Sequence, residues 1–182
     1  MLLAAEQTTL PVAEARAGDA QAWDALFRRF QMPLYVYIVE LVRDEQTSLD
    51  IVQETFLSAV RHLRSLRNDE KFGSWLFSIA HQKIIQFWRR HRQVSFEEIG
   101  LEQAAGDPDP SELLIDKENQ EKFLACLDRL PPSQRSIVLL HFVEEFSLDE
   151  IAEIAELPLG TVKSRLFYAK RALRRNIRKE SS

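Results

Sequence analysis

The stretch 147–179, SLDEIAEIAELPLGTVKSRLFYAKRALRRNIRK, limits the fold more than any other part of the chain. Leu148, Ile151, Ala152, Ile154 and Ala155 recur at helical spacing. Ser147 and Glu150 have the spacing of a capping box, in which a serine oxygen accepts a backbone N–H three residues on and a glutamate reaches back. Pro158 and Gly160 then predict a break between two helices. A second stripe follows at Val162, Leu166, Ala169 and Leu173, and residues 161–179 hold eight Lys/Arg and no Asp/Glu. Two short helices at a sharp turn, the second one basic, form the pattern of a helix-turn-helix whose second helix enters the DNA major groove. The helix dipole alone accounts for cations at the far end, Arg174, Arg175, Arg178 and Lys179. It disfavours Lys163 and Arg165 in the opening turns, so those two residues point to an anionic ligand.

The net charge of −4 looks unsuited to DNA until it is divided along the chain. Residues 1–94 carry 12 basic and 11 acidic groups, residues 95–125 carry 2 and 9, and residues 126–182 carry 10 and 8. The acidity sits in the middle, and both flanks are slightly basic. So weak a positive field predicts modest DNA affinity and a larger partner that supplies much of the binding. Gly is scarce (5) and Phe abundant (11), and no segment alternates as a strand does, so an all-α fold is expected. The single cysteine, Cys126, allows no internal disulfide and falls in an apolar stripe with Phe123, Leu127 and Leu130, where a buried thiol is expected. The four histidines lack metal spacing, so neither metal nor cofactor is expected. The opening MLLAAEQTT lacks the charged start and apolar length of a signal peptide, and no run is long enough to span a membrane. A cytoplasmic protein with no membrane insertion of its own is expected.

Along the chain, residues 9–17 predict a short helix, and Asp19 is suited to cap the next one. That helix carries Trp23, Leu26, Phe27 and Phe30 towards a core, and Pro33 predicts a boundary or kink. Residues 46–66 predict a helix with Ile51, Val52, Phe56, Ala59, Val60 and Leu63 on one face and Asp50, Gln53, Glu54 and Arg61 largely on the other. The polar face suits either solvent or a partner protein. Residues 71–92 predict one long helix, with Trp75, Leu76, Ile79, Ala80, Lys83 and Phe87 along one side. It ends in a mixed aromatic and basic run, Phe87, Trp88, Arg89, Arg90, His91 and Arg92. Aromatic rings stack on unpaired bases while Arg and Lys follow phosphates, and Trp88 inside that run is the aromatic least suited to a core. Phe72 and Trp75 suit a core equally well. Residues 94–119, with GDPDPSE, read as a linker. Helices return at 111–130 and 133–143, separated by Pro131 and Pro132. The expected organisation is a helical domain at 1–94, an acidic flexible linker at 95–112 and a helix-turn-helix domain at 113–182.

No Gly-rich phosphate loop, HExxH motif or nucleophile elbow occurs, so a catalytic site is not expected. Two other readings share the helix-turn-helix. A free-standing transcriptional regulator would need neither Asp50–Glu54 nor the helix at 72–92. A nucleic-acid enzyme with a DNA-binding adaptor would need a cluster of carboxylates or metal ligands, which the sequence lacks.

Four stretches, DIVQETF (50–56), FGSWLFSIAHQKIIQFWRRHR (72–92), LPPSQRSIVLLHF (130–142) and EIAEIAELPLGTVKSRLFYAKRALR (150–174), resemble the extracytoplasmic-function sigma factors of bacterial RNA polymerase. They span nearly the whole chain in the family's order. The resemblance implies an alternative sigma factor that binds core RNA polymerase and directs it to promoter DNA. Asp50, Gln53 and Glu54 match the family's polymerase-docking helix. Arg67, Asn68, Asp69, Lys71, Phe72, Trp75, Gln82, Gln86, Trp88, Arg89 and Arg90 fall in the part that melts and reads the −10 element. Pro158, Gly160, Thr161, Lys163, Ser164, Arg165, Phe167, Tyr168 and Arg171 match the part that reads the −35 element. The resemblance also implies an anti-sigma factor as a partner. This chain departs from common family residues at Thr47-Ser48-Leu49, at His81-Gln82, at Gln86 and at Tyr168-Ala169-Lys170. Gln82 and Gln86 fall where the −10 base is read, and Leu49 offers an apolar contact to the polymerase or to an inhibitor.

Overall fold

A computed structural model describes residues 9–91 and 126–180. The described residues form helices without a strand. Helix α1 spans Val12–Arg16, α2 Ala20–Val42, α3 Glu45–His62 and α4 Phe72–His91. Two 3₁₀ turns, Leu63–Ser65 and Asp69–Lys71, join α3 to α4. After the linker come α5 at Pro132–Val138, a π-helical turn at Leu139–Val143, α6 at Leu148–Ala155 and α7 at Leu159–Glu180. The acidic linker expected at 95–112, and most of the helix expected at 111–130, lie outside the described residues.

Local chemistry sets the helix starts. The Asp19 carboxylate accepts from Gln21 N–H at 2.9 Å, as expected for the cap of α2. Asp44 caps α3 by accepting from Thr47 N–H at 2.7 Å, a bond that holds its carboxyl below the usual range. Between them the chain reverses through Arg43, whose φ of 61° ends α2 in the left-handed conformation. Pro33 does not divide α2, contrary to the sequence expectation; the helix runs unbroken for 23 residues. An internal proline costs roughly 3 kcal/mol. Phe30, Leu34, Tyr37, Ile38 and Leu41 lie buried along the continuous helix, each contributing about 1.5–3 kcal/mol. Burial outweighs the proline.

Helices α2, α3 and α4 pack on one another around this stripe. The buried side of α4 is Phe72, Leu76, Phe77, Ala80, Ile84 and Trp88. The face inferred from sequence was rotated: Trp75, Ile79 and Phe87 sit half-buried at its margin. On α3, Val60 is 54% exposed rather than core, and on α2 Phe27 is 40% exposed.

In the second half, α5 packs on α7 and α6 on both α7 and α4. Cys126 is fully buried, as its stripe predicted. Arg135 is the hub of this half. Its guanidinium donates to the Leu127, Asp128 and Leu130 carbonyls at 2.9–3.1 Å and to the Glu40 carbonyl of α2 at 3.0 Å. The two halves therefore touch. Further bridges are an Arg43–Asp128 ion pair, a Lys71–Glu153 ion pair at 2.8 Å, and Phe146, whose ring meets that of Phe77 edge-on at 5.1 Å.

Candidate nucleic-acid interface

The helix-turn-helix is built as its sequence predicts at the first helix and differently at the turn. Ser147 Oγ accepts from Glu150 N–H at 3.3 Å and the Glu150 carboxylate accepts from Ser147 N–H at 2.9 Å, which completes the capping box. The left-handed residue that ends α6 is Glu156, with φ of 52°. Gly160 was expected to make the break, but it lies within the first turn of α7 and has no positive φ. The Pro158 carbonyl accepts from Thr161 and Val162 N–H at 2.9 and 3.1 Å, so Pro158 stands at the start of α7. A Cβ at Gly160 would meet nothing within 4 Å, so this turn presents bare backbone to whatever approaches.

The stripe Val162, Leu166, Ala169 and Leu173 is buried, as expected. It turns Lys163 and Arg171 outward to solvent and leaves Thr161, Ser164, Phe167 and Tyr168 half-exposed. The Ser164 hydroxyl donates back to the Gly160 carbonyl at 2.9 Å. The Phe167 and Tyr168 rings meet edge-on at 5.5 Å. Arg165 differs from its neighbours: its Nη1 is buried with no hydrogen-bond partner, and burial pulls its proton affinity down.

The residues assigned by resemblance to the −10 element fall into four overlapping groups. Arg67, Asn68, Gln86, Arg89 and Arg90 are exposed. Asn68 also caps the turn after it, accepting from Glu70 N–H at 3.0 Å. Trp75, Gln82 and Gln86 come together with Ser58 and His62 of α3 around a depression of about 260 Å³. Asp69 and Lys71 are already engaged. Asp69 pairs with Arg16, which also donates to the Leu66 carbonyl at 3.2 Å, and this ties the 66–69 loop to α1. Lys71 pairs with Glu153, and that carboxylate raises its proton affinity.

Phe72 and Trp88 are corrections. Phe72 is fully buried and Trp88 is 3% exposed, so neither ring has a face open to a base. Trp88 stands one helical turn after Ile84 and continues the core stripe. Its basic neighbours in sequence point elsewhere on the helix.

On α3, Asp50, Gln53 and Glu54 form an exposed polar face. The Asp50 carboxylate accepts from Gln46 at 3.2 Å, and that of Glu54 from Lys83 of α4 at 3.3 Å. Beside this face runs an apolar groove of about 540 Å³ between α2 and α3. Phe27, Met32, Leu49, Leu57 and Val60 line it, all 40–55% exposed. Large apolar side chains gathered at a surface mark an interaction site. The sequence reading found only Leu49 of these five. Helical periodicity assigned Phe27 and Val60 to the core, and only the α2–α3 packing brings them out together. Among the described residues no group of three His, Cys, Asp or Glu is placed to hold a metal ion, and no helix is long and apolar enough to cross a membrane.

Comparison with known proteins agrees with this division of the chain. The family model of sigma-70 region 2 matches residues 26–94, and that of sigma-70 region 4 matches residues 120–173. The RNA polymerase sigma factor YlaC of Bacillus subtilis is 30% identical over 158 residues, covering 85% of this chain and 91% of the relative. The ECF RNA polymerase sigma factor SigE of Mycolicibacterium smegmatis is 30% identical over 184 residues, covering 97% and 70%. Among solved structures, the sigma factor RpoE in complex with the anti-sigma factor NepR from Bartonella quintana superposes with a TM-score of 0.61, covering 84% of this chain and 96% of that one. At 23% identity this likeness speaks for the fold.

Proposed function

The chain belongs to the sigma-70 family, as an extracytoplasmic-function sigma factor of bacterial RNA polymerase, and we propose which of its surfaces carry each part of that work. It is an alternative sigma factor, which directs promoter-specific initiation of transcription. Asp50, Gln53 and Glu54 dock on core polymerase. The exposure of all three beside the apolar groove is the observation that carries this reading, because polar residues around an apolar centre are what a protein partner buries.

Arg67, Asn68, Trp75, Gln82, Gln86, Arg89 and Arg90 face the −10 element. Opening the duplex there costs a few kcal/mol of unstacking per base, which capture of a freed base offsets. The half-buried Trp75 ring and the Gln82 and Gln86 amides supply a stacking face and hydrogen-bonding groups around one depression. Asp69 acts by fixing the loop, through its pair with Arg16. Lys163, Arg165, Phe167, Tyr168 and Arg171, with the bare turn at Pro158, Gly160, Thr161 and Ser164, face the −35 element. Arg or Lys to guanine and apolar contact with thymine methyls are the chemistry that reads a major groove.

The protein catalyses no reaction by itself; the polymerase does. It works in the cytoplasm, and an anti-sigma factor holds it inactive, as NepR accompanies RpoE in the Bartonella complex. Run-off transcription and duplex binding, each with and without core polymerase, test the assignment. Specific initiation that needs both components is expected. Tight, sequence-specific duplex binding by the chain alone, with no gain from core, would favour a free-standing regulator.

A further inference from the structure

The candidate −10 contacts all come from α4 and the loop before it, yet the depression beside Trp75 has a second wall. His62 lines it from the last turn of α3, a helix otherwise assigned to polymerase docking. The His62 ring is exposed, and its Nδ1 lies 2.9 Å from the Ser58 carbonyl oxygen, one turn earlier. A carbonyl can only accept, so Nδ1 carries the hydrogen and donates it. In the uncharged imidazole Nε2 is then left bare, an acceptor with no hydrogen of its own. The helix backbone therefore sets in advance which way His62 bonds a ligand.

The other polar groups of the wall do not read a base in this way. Gln82 and Gln86 each present both a donor and an acceptor, and their amides can turn to suit what arrives. Lys83 directs its ammonium to Glu54 at 3.3 Å, on the docking side of α3. The half-buried Trp75 ring supplies a face for stacking, which every base has. Choice among bases then falls to His62. Adenine, cytosine and guanine each carry an exocyclic amine that projects from the ring and donates. Thymine has none: its N3–H lies between two carbonyl oxygens, and both would be brought towards the Nε2 lone pair.

We propose that His62 is a specificity-determining residue of the −10 site, whose Nε2 accepts from the exocyclic amine of the captured base and so discriminates against thymine. This rests on the reading of the depression as the −10 base site. A stacked base covers Nε2, and a covered acceptor that faces a carbonyl loses its water without gaining a bond. That loss is what makes a hydrogen-bonding site selective. The His62 side chain is exposed and bonds only within its own helix, so its removal leaves the core untouched.

The test uses holoenzyme assembled from the full chain and core polymerase. It selects from single-stranded DNA randomised across the −10 window, and the bound strands are sequenced. With the wild type, one position should be depleted of thymine roughly tenfold, the scale of a base-edge contact. His62→Ala should restore thymine at that position and leave preferences elsewhere unchanged. Fluorescence anisotropy on a selected strand then compares deoxycytidine with deoxyuridine there, a pair that differs only in the amine and its neighbouring ring nitrogen. The wild type should prefer deoxycytidine, and His62→Ala should bind both alike. Selection without a thymine-poor position overturns the proposal, as does thymine depletion that His62→Ala retains. Trp75→Ala checks the underlying site separately. If it captures strands as tightly as the wild type, the base does not enter the depression at all. If it captures them weakly while His62→Ala still rejects thymine, the site stands and His62 is not its reader.

Discussion

The Tyr37 hydroxyl and His81 Nδ1 lie 2.7 Å apart in the core and join α2 to α4. Burial pushes the phenol far above its ordinary value and holds the imidazole down, at about 4, with Arg165 opposing its protonation too. At neutral pH the ring is uncharged, and its tautomer sets which of the two groups donates. Tyr37→Phe removes the hydroxyl that Nδ1 bonds and should cost about 1–3 kcal/mol. Urea unfolding measures this, with helix content unchanged.

Stability should depend on pH through two opposed groups. Burial raises Glu144 to about 7, with Glu145 adding to the rise. The folded state therefore binds its proton more tightly than the unfolded chain, and stability falls as pH rises from ~4.3 to about 7. His81, lowered to about 4, acts in the other direction: stability rises from about 4 to the unfolded value of ~6.5. In the wild type the two slopes largely cancel below pH 6.5. Glu144→Gln removes one, so its unfolding free energy should climb across pH 4.5–6.5 and exceed that of the wild type at pH 8. Urea titrations at several pH values would show it; parallel profiles for both proteins would contradict it.

Phe72 and Trp75 are three residues apart and should respond differently. Phe72→Ala empties a fully buried site and should cost ~3–5 kcal/mol of stability. The half-buried Trp75 should cost less stability on truncation and more open-complex formation. Thermal unfolding and permanganate footprinting of the melted promoter separate the two effects.

Asp50→Ala with Glu54→Ala should weaken core binding by ~1–2 kcal/mol. Both side chains are exposed, so the unfolding midpoint should barely move. Equal loss in fold and binding would take these residues out of the docking face.

Glu156 holds a left-handed φ of 52° at the helix-turn-helix corner. Glycine adopts that conformation without a Cβ penalty. Glu156→Gly should therefore stabilise by ~0.5–1 kcal/mol, net of its greater freedom when unfolded, as thermal unfolding would register.

Much of this fold could be read from local pattern. The Ser147–Glu150 box, the Asp19 cap and the stripe from Val162 to Leu173 depend on residues within a turn or two of one another. What periodicity missed depends on distant partners. Pro33 was expected to interrupt α2, but burial along both of its halves holds the helix together. Trp88 took its reading from basic neighbours, although Ile84, four residues earlier, shares its side of the helix. The corner fell on Glu156 although a glycine stood nearby, because α6 ends there and Gly160 already belongs to the next helix. Phe146 and Glu144 carried no signal as a lead-in to the helix-turn-helix. The Phe146 ring finds its partner, Phe77, on α4, some 70 positions away in the sequence.

The π-turn at Leu139–Val143 closes with Glu144 N–H bonded to the Leu139 carbonyl at 3.1 Å, five residues back. A regular α-turn would bond four back. The segment thus holds one residue more than a plain helix needs, and each residue of helix turns the chain by about 100°. Deleting a single residue between 139 and 143 would restore an ordinary helix and swing Phe146 away from Phe77. The length of this stretch is therefore fixed more tightly than its composition: conservative exchanges within it should be absorbed, whereas a gap of one residue should not.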